Sequence, residues 1–356
     1  MKQVNPPYRV TQRTLAREIT YVGVGLHTGQ KVAMTVQPAP PDTGILFLRT
    51  DVEAGRGLIP ARWYSVSDTR MSTTLENEYG TSVATVEHLL AGLSGCGIDN
   101  AIIEIDGPEV PIMDGSSEPF VNLIERIGTI DQDKQRYAIW IQKPIDMQLE
   151  DKYAVLLPSR IPRITVSIDF PNPAIGFQTF SVELINEAFR KDIARARTFG
   201  FAEQITQLQQ HGLALGGSLR NAVLVDGDRI VNEEGLRYEN EFVRHKILDC
   251  FGDLSLAGMP VIGHYYAHKP GHHINSLLLN KLFDSHGSWS YVSIDDYNRF
   301  MGISVNHSVT ETKCNWRMFA RFERMNRANR TLQQGRCDTY GSFWMGRGCR
   351  FSSIAT

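Results

Sequence analysis

The stretch Phe242-Val-Arg-His-Lys-Ile-Leu-Asp-Cys-Phe-Gly-Asp253 lies at the centre of a predicted helix over residues 239–257. On a helix, residues four apart project from the same face, so His245 and Asp249 would lie about one turn apart. Two ligands of one metal ion need this spacing. Asp253 continues the same face, where a carboxylate could orient an imidazole. The pair alone is a weak signal, because surface ion pairs and capping pairs share the same spacing.

A second helix is predicted at Thr85-Val-Glu-His-Leu-Leu90, where apolar residues recur at helical spacing. Thr85 is a good N-cap candidate, and Gly95 can end the helix. Adjacent Glu87 and His88 would allow one side chain to bind a metal ion while the other handles the proton of a water molecule. A glutamate in the first turn of a helix beside a core histidine fits the same residues.

A third candidate is the segment Lys269-Pro-Gly-His-His273, which we expect on a loop after an apolar strand at Val261 to Tyr266. A loop histidine such as His272 could act as a general acid, since the usual pKa of histidine lies near neutrality. Taken alone, the segment favours an exposed pair of loop histidines over a catalytic one.

Short runs rich in β-branched and aromatic residues predict strands on both sides of these helices. Each half of the chain combines several strands with two helices, which indicates an α+β fold. The other two predicted helices are 118–127 and 185–194, and the predicted strands are 22–26, 31–37, 45–49, 100–105, 137–142, 153–157, 163–169, 178–183, 261–266 and 289–294. The predicted divisions are an N-terminal domain at 10–127, a polar linker at 128–136, a C-terminal domain at 137–302 and a tail at 303–356.

The charge of the chain is unevenly distributed. Of its 37 basic and 39 acidic residues, the tail holds nine and three, so the tail is +6 and residues 1–302 carry 28 basic and 36 acidic residues, or −8. With 42% hydrophobic and 21% charged residues, the body can bury a core. We expect no nucleic-acid partner for such an acidic body.

Several classes of protein are disfavoured by missing motifs. There is no apolar signal segment and no run of about eighteen apolar residues, so we expect a cytoplasmic protein. The five cysteines include no C-x-x-C pair, so a metal ion would have to be held by histidines and carboxylates. The chain also lacks a P-loop, a dinucleotide-binding G-x-G-x-x-G, a G-x-S-x-G elbow and an H-E-x-x-H motif.

The sequence resembles the bacterial UDP-3-O-acyl-N-acetylglucosamine deacetylases, the zinc hydrolases of lipid A biosynthesis. The resemblance covers roughly residues 10–300 in the family's order. The segments that carry it are Gly23-Val-Gly-Leu-His-Thr-Gly29, Thr85-Val-Glu-His-Leu-Leu-Ala-Gly-Leu93, Gly97-Ile-Asp-Asn100, Gly107-Pro-Glu-Val-Pro-Ile-Met-Asp-Gly-Ser116, Arg197-Thr-Phe-Gly200, Asn232-Glu-Glu-Gly-Leu-Arg237 and Phe242 to Asp253.

The resemblance implies two similar domains, each a small mixed sheet packed on two helices, with the active site between them. It also implies one zinc ion per chain, bound by His88, His245 and Asp249. Three nitrogen or oxygen ligands with an open position for water are typical of catalytic zinc.

The remaining roles also come from the family. Glu87 would be the base, and His272, positioned by Asp253, the acid or cationic stabiliser. Thr198 would help zinc to stabilise the oxyanion, Lys246 would contact the polar head of the substrate, and Phe199 would pack on its sugar. An insert near 201–224, with small residues that include Gly217 and Ser218, would provide an apolar passage for the acyl chain.

The implied reaction hydrolyses the N-acetyl group of UDP-3-O-[(3R)-3-hydroxyacyl]-N-acetylglucosamine and gives acetate and a free amine, the committed step of lipid A biosynthesis. Two alternatives stay open. One is a non-enzymatic relative that keeps the fold as a binding module. The other is a zinc amidohydrolase for a different N-acetylated nucleotide sugar. The sequence sets neither the acyl-chain length nor the metal loaded in cells. It does not set the oligomeric state either, and a monomer is compatible with it.

The basic tail has no counterpart in this resemblance. At about 100° per residue, four arginines fall on one side of a helix and four apolar residues on the other: Arg317, Arg321, Arg324 and Arg327, then Met318, Phe319, Phe322 and Met325. Such a helix could lie on the anionic surface of the inner membrane. An extension that does not fold fits the tail equally well.

Overall fold

The structure is a computed structural model that describes residues 9–185 and 187–302. All of these residues fall in one compact unit. The tail at 303–356, and with it the predicted amphipathic helix, lies outside the described residues. Within the described part of the chain, no helix combines the length and the apolar character that crossing a membrane requires.

The first half of the chain contains ten strands, two α-helices and one 3₁₀ turn at Trp63–Ser65. The strands are β1 (Thr11–Leu15), β2 (Ile19–Val24), β3 (Lys31–Pro38), β4 (Ile45–Arg49), β5 (Leu58–Pro60), β6 (Val66–Asp68), β7 (Thr74–Glu76), β8 (Ser82–Val83), β9 (Ala101–Ile105) and β10 (Thr129–Gln135). The helices are α1 (Glu87–Gly95) and α2 (Glu118–Ile127).

Five of these strands form the main sheet of the first half, in the order β2-β3-β9-β4-β5. β9 pairs antiparallel with β3 and parallel with β4. In β3, the alternate residues Val32, Met34 and Val36 are buried, so one face of the sheet turns towards the core. Buried and less buried residues alternate along β3, and this alternation is typical of a strand with one face in the core. β6, β7 and β8 form a separate three-stranded sheet.

The second half contains eleven strands, four α-helices and a π-helical turn at Phe189–Ile193. The strands are β11 (Tyr137–Ile141), β12 (Ile145–Leu149), β13 (Lys152–Leu157), β14 (Arg163–Asp169), β15 (Phe177–Glu183), β16 (Phe199–Phe201), β17 (Val223–Asp226), β18 (Arg229–Ile230), β19 (Val261–Ile262), β20 (His264–His268) and β21 (Trp289–Ser293). The helices are α3 (Ala202–Gln210), α4 (Glu241–Ser255), α5 (His272–Asp284) and α6 (Ile294–Phe300).

The main sheet of the second half repeats the topology of the first. Its order is β12-β13-β20-β14-β15, with β20 antiparallel to β13 and parallel to β14. α4 packs on β14 and β15, and α5 packs on β12 and β13. The α+β prediction is therefore confirmed, and the two main sheets have the similarity that the family resemblance implies.

The two halves meet where α1 packs against α4. At Gly252 a side-chain carbon would lie only 2.1 Å from the carbonyl oxygen of Glu87, so the backbones approach too closely for any larger residue. α4 buries eleven of its fifteen residues. A helix buried on most of its surface must satisfy its polar side chains internally, which brings the acidic and histidine residues of α4 together inside the protein.

Most of the predicted strands and the helices α1, α2 and α4 are found within a few residues of their predicted limits. The predicted N-cap is wrong. Thr85 has a positive φ of 58° and its hydroxyl donates to Glu109 Oε1 at 2.9 Å, while Val86 precedes the first helical residue. The Thr85 hydroxyl is directed to the buried Glu109 carboxylate instead of the first backbone N–H groups of α1.

The predicted loop position of His272 is also wrong, because His272 is the first residue of α5. This helix is held by buried apolar residues at helical spacing, among them Ile274, Leu278 and Leu282. Pro270 and Gly271 precede it, and a turn signal of this kind also fits a longer loop.

Three other segments differ from the prediction. The helix expected at 185–194 is reduced to the π-helical turn, and the strand expected at 261–266 divides into β19 and β20 around Gly263. The polar segment 128–136 contains β10, which pairs antiparallel with β1. β10 is mostly exposed, so its residues show little of the hydrophobic alternation that predicts a strand. The division into two domains at this segment stays a prediction.

Substitution of Gly252 tests the contact between α1 and α4. The Gly252→Ala variant should lose about 1–3 kcal/mol of unfolding free energy, because the new carbon meets backbone that cannot move freely. Urea unfolding followed by circular dichroism measures the change. Gly200→Ala is the control, since nothing lies within 4 Å of its added carbon. Equal stability of the two variants would contradict the proposed contact.

Candidate active site

Three side chains from the two halves meet beside the contact of α1 and α4. His88 Nε2 lies 3.4 Å from Asp249 Oδ1, and His245 Nε2 lies 3.2 Å from the same oxygen. All three residues are buried. One potential ligand atom from each lies within 4.8 Å of the others, and no second group of this kind occurs among residues 9–185 and 187–302. His245 and Asp249 are one turn apart on α4, as the sequence predicts, whereas His88 comes from α1.

The ring of His245 is fixed by its second nitrogen. Nδ1 of His245 lies 3.0 Å from the carbonyl oxygen of Ala196, which can only accept, so Nδ1 carries the proton. The lone pair of Nε2 is then free and faces Asp249. A histidine that donates its other ring proton to a carbonyl is typical of metal ligands.

Asp249 Oδ1 is buried and has no hydrogen-bond partner. Leaving a buried oxygen unpaired costs roughly 1–3 kcal/mol unless something else binds it. Burial alone would raise the pKa of Asp249, but His245 and Lys246 lower the pKa well below its usual value. Asp249 is therefore an anion beside two imidazoles. A divalent metal ion fits this donor set, because it would satisfy the unpaired oxygen and both imidazole nitrogens.

Glu87 lies next to His88 at the start of α1. Its carboxylate is buried and accepts a hydrogen bond from the backbone N–H of Thr73, 3.1 Å from Oε2. Burial, together with the nearby negative charges of Asp253 and Asp249, raises the pKa of Glu87 to about 7. A carboxylate with this pKa can accept and release a proton near neutral pH.

His272 faces Glu87 from the start of α5, with Nε2 3.7 Å from Glu87 Oε1. Its Nδ1 lies 2.9 Å from Asp253 Oδ2. Burial alone would lower the pKa of His272, but the charges of Asp253 and Glu87 raise it to about 10. His272 is therefore an imidazolium at neutral pH and can donate a proton from Nε2.

Lys246 and Phe199 lie beside the three candidate metal ligands. The Nζ atom of Lys246 is 2.8 Å from Asp249 Oδ2 and 5.6 Å from the centre of the Phe199 ring. The Phe199 ring in turn meets the His245 ring edge to face at 6.3 Å. The structure therefore brings these two of the four predicted substrate-binding residues to the edge of the cluster.

Thr198 is held near this edge by its backbone. Its N–H donates to the carbonyl of Gly115 in the first half, at 2.8 Å. The preceding residue, Arg197, is buried, and its Nε donates to Glu241 Oε1 at 2.9 Å. The segment that leads into β16 is therefore tied to the start of α4.

Gly217 and Ser218 lie in the loop between α3 and β17. Ser218 N–H donates to Asn221 Oδ1 at 2.8 Å, and neighbouring Gly216 N–H donates to the carbonyl of Leu26 at 3.0 Å. The predicted insert is thus attached to the Gly23–Gly29 segment of the first half. Its role as an acyl passage stays a prediction.

Two residues that hold the site carried no signal in the sequence. Thr73 donates its hydroxyl to Asp253 Oδ1 at 2.6 Å, and Asn275 donates from Nδ2 to Asp253 Oδ2 at 2.8 Å. Thr73 belongs to none of the predicted helices or motifs, and Asn275 lies three residues after His272 in the helix that was missed. An isolated threonine and asparagine have no distinctive spacing in the chain.

A cavity of about 340 Å³ also opens between the halves, away from these residues. Its wall includes Leu93, Phe251 and Arg136, and none of the predicted site residues lines it. The polar groups at its rim are bonded to one another, since Arg9 and Arg136 both donate to Asp99. The unpaired Asp249 oxygen lies in the cluster of His88, His245 and Asp249 instead, so this cluster is the candidate active site.

The pKa of His272 makes stability depend on pH. Because the folded pKa of about 10 exceeds the usual value of 6.5, the imidazolium stabilises the fold fully below pH 6.5, and this contribution is lost as pH rises to 10. In metal-free protein, wild type should exceed His272→Gln by a few kcal/mol at pH 6, with the difference falling towards pH 10. Urea unfolding at both pH values measures it. His273→Gln, at an exposed neighbour, is the control, and a pH-independent difference for His272→Gln would contradict the expectation.

The chain is similar to known proteins over most of its length. The sequence model of the LpxC family, described as UDP-3-O-acyl N-acetylglycosamine deacetylase, matches residues 12–284. A protein named UDP-3-O-acyl-N-acetylglucosamine deacetylase from Idiomarina loihiensis is 48% identical over 305 residues, which are 85% of this chain and 99% of that protein. Proteins of the same name from Syntrophus aciditrophicus and Histophilus somni are each 46% identical, over 79% and 81% of this chain and 89% and 94% of their own lengths. The chain therefore belongs to the UDP-3-O-acyl N-acetylglycosamine deacetylase family of enzymes.

Proposed function

We propose that this chain is a zinc-dependent amidase that removes the N-acetyl group of UDP-3-O-[(3R)-3-hydroxyacyl]-N-acetylglucosamine, giving acetate and the free amine in lipid A biosynthesis. The observation that carries the proposal is the convergence of His88, His245 and Asp249 beside a buried carboxylate and a buried imidazolium. The relatives are named for deacetylation of this class of substrate.

The proposed metal ligands are Nε2 of His88, Nε2 of His245 and Oδ1 of Asp249. Two imidazoles and one carboxylate are a donor set that zinc accepts in catalytic sites. When bound, zinc supplies a Lewis acid that polarises a carbonyl and lowers the pKa of water to roughly 7. Both histidines must be neutral to bind it, and burial lowers the pKa of His88, which favours the neutral ring.

Glu87 acts as the general base in this proposal. Its carboxylate accepts a proton from the attacking water as the water oxygen forms a bond to the acetamide carbonyl carbon. The pKa of about 7 leaves a substantial fraction of Glu87 ionised at neutral pH. The N–H of Thr73 fixes Oε2, so Oε1 is the oxygen that faces His272 and the reacting atoms.

His272 acts as the general acid. Its imidazolium donates the Nε2 proton to the amine nitrogen as the carbon–nitrogen bond breaks, and Asp253 stabilises the cation before transfer. The hydroxyl of Thr198 is the proposed donor to the oxyanion that develops on the carbonyl oxygen. One water is consumed, and its oxygen ends in the acetate. One of its protons, held by Glu87, replaces the proton that His272 gives to nitrogen, and the other passes from the new carboxyl group to the amine, so the products are acetate and a sugar ammonium ion and the charge balances.

Substrate recognition is assigned to the residues at the edge of the cluster. Lys246 would bind the polar head through its ammonium group, and Phe199 would pack on the sugar ring. The loop with Gly217 and Ser218 would leave room for the acyl chain. We place the enzyme in the cytoplasm. The membrane contact of the tail stays a prediction from sequence.

Replacement of Glu87 by glutamine tests the base. Glu87→Gln should lower the acetate-release rate by about 10²–10⁴-fold, because the amide cannot accept the proton, while zinc content stays near one per chain. Acetate release and elemental analysis of the same sample measure both. Glu76→Gln, at an exposed position of β7, is the control. Full turnover by Glu87→Gln would contradict the mechanism.

Substrate choice separates the proposed reaction from deacetylation of other nucleotide sugars. The purified chain should release acetate much faster from the 3-O-acylated substrate than from UDP-N-acetylglucosamine, because the acyl chain adds apolar contacts that hold the substrate in place. Comparison of kcat/KM for both compounds measures this preference. Equal values would remove the lipid-precursor assignment and leave a general N-acetyl amidase.

A further inference from the structure

All three polar groups of Thr73 are hydrogen-bonded inside the protein. Thr73 lies just before β7 and is 1% exposed. Its N–H donates to Glu87 Oε2 at 3.1 Å, and its carbonyl accepts from the N–H of Val86 at 3.4 Å. Its hydroxyl donates to Asp253 Oδ1 at 2.6 Å. Thr73 is therefore fixed to the start of α1 by its backbone and to α4 by its side chain.

The hydrogen bond from the Thr73 hydroxyl fixes Oδ1 of Asp253. The other oxygen, Oδ2, already receives Nδ1 of His272 at 2.9 Å and Nδ2 of Asn275 at 2.8 Å. The orientation of Asn275 is set by Tyr265, whose hydroxyl donates to Oδ1 of Asn275. With both oxygens held, the Asp253 carboxylate cannot rotate, and the His272 ring keeps one direction.

Thr73 also joins the two halves of the chain at the site. Glu87 belongs to the first half, whereas Asp253 and His272 belong to the second. Within the part of the chain that the structure describes, Thr73 is the residue that hydrogen-bonds both the Glu87 and the Asp253 carboxylates. Thr73 therefore holds both Glu87 and the aspartate that orients His272, whose Nε2 lies 3.7 Å from Glu87 Oε1.

We propose that Thr73 is a positioning residue that holds Glu87 and the Asp253–His272 pair at their working separation across the two halves. The inference rests on the proposed roles of Glu87 and His272 as base and acid. Catalytic groups must keep their geometry within a fraction of an ångström, and loss of an outer hydrogen bond commonly lowers activity without altering the reacting groups.

Two variants of Thr73 separate the hydroxyl from the space it fills. Thr73→Val keeps the volume and the backbone N–H to Glu87 but removes the bond to Asp253. Thr73→Ser keeps the hydroxyl. In the zinc-loaded full chain, Thr73→Val should lower kcat by roughly 10–100-fold with KM changed less than about twofold, and Thr73→Ser should retain most of the wild-type kcat.

A matched control is available at Thr14 in the same half. Thr14 is buried, and its hydroxyl donates to the carbonyl of Asn100 at 2.7 Å, far along the chain from any site residue. Thr14→Val loses this bond and also the one that the hydroxyl accepts from the N–H of Ala39 at 3.0 Å, so it removes at least as much buried hydrogen bonding as Thr73→Val, and it should keep kcat and zinc content. An unchanged kcat in Thr73→Val, or equal losses in Thr73→Val and Thr73→Ser, would overturn the proposal.

A spectroscopic measurement decides the inference without reference to turnover. In protein labelled with ¹⁵N-histidine, the Nδ1 proton of His272 should give a downfield signal typical of a hydrogen bond to a carboxylate. This signal should shift or broaden in Thr73→Val and persist in Thr73→Ser. Persistence of an unaltered signal in Thr73→Val would overturn the positioning role. Absence of acetate release by the wild type would instead count against the proposed function, while this signal still tests Thr73.

Discussion

The contact of α1 with α4 governs the arrangement of everything near the site. Gly252 lies directly against the carbonyl of Glu87, so the backbones of the two halves touch at the residue that precedes His88. Helices this close bring a histidine of α1 next to a histidine and an aspartate of α4. A side chain at Gly252 would collide with the carbonyl of Glu87 and push the two helices apart beside the point where the cluster converges.

This contact also buries several charges, which must therefore be balanced within the protein. The three carboxylates of Glu87, Asp249 and Asp253 are compensated by the imidazolium of His272 and the ammonium of Lys246, and backbone and hydroxyl donors satisfy other oxygens. Oδ1 of Asp249 is the carboxylate oxygen of this group that has no hydrogen-bond partner. Burial of unbalanced charge is costly, so the same packing that forms the site also favours a bound cation.

The predicted spacing within α4 is found, whereas the elements at His272 and Thr85 differ from the prediction. The spacing of His245 and Asp249 needed only a helix, and α4 provides it. His272 was expected to act from a loop, yet it begins α5, and Thr85 was expected to cap α1, yet its hydroxyl bonds Glu109. The first error omits the whole of α5, and the second concerns the end of α1, where a tertiary contact competes with the local preference of the chain.

The sequence alone determined the α+β class, the helical spacing of two candidate metal ligands and the family, because these depend on residue types and their local order. Tertiary structure decided which residues meet. His88 lies 157 positions before His245 in the chain, Thr73 lies 180 before Asp253, and only the folded contact of the two halves joins them. Spacing along one helix predicts neighbours through its fixed pitch. Neighbours from different halves depend on close packing, whose geometry no local pattern of residues records.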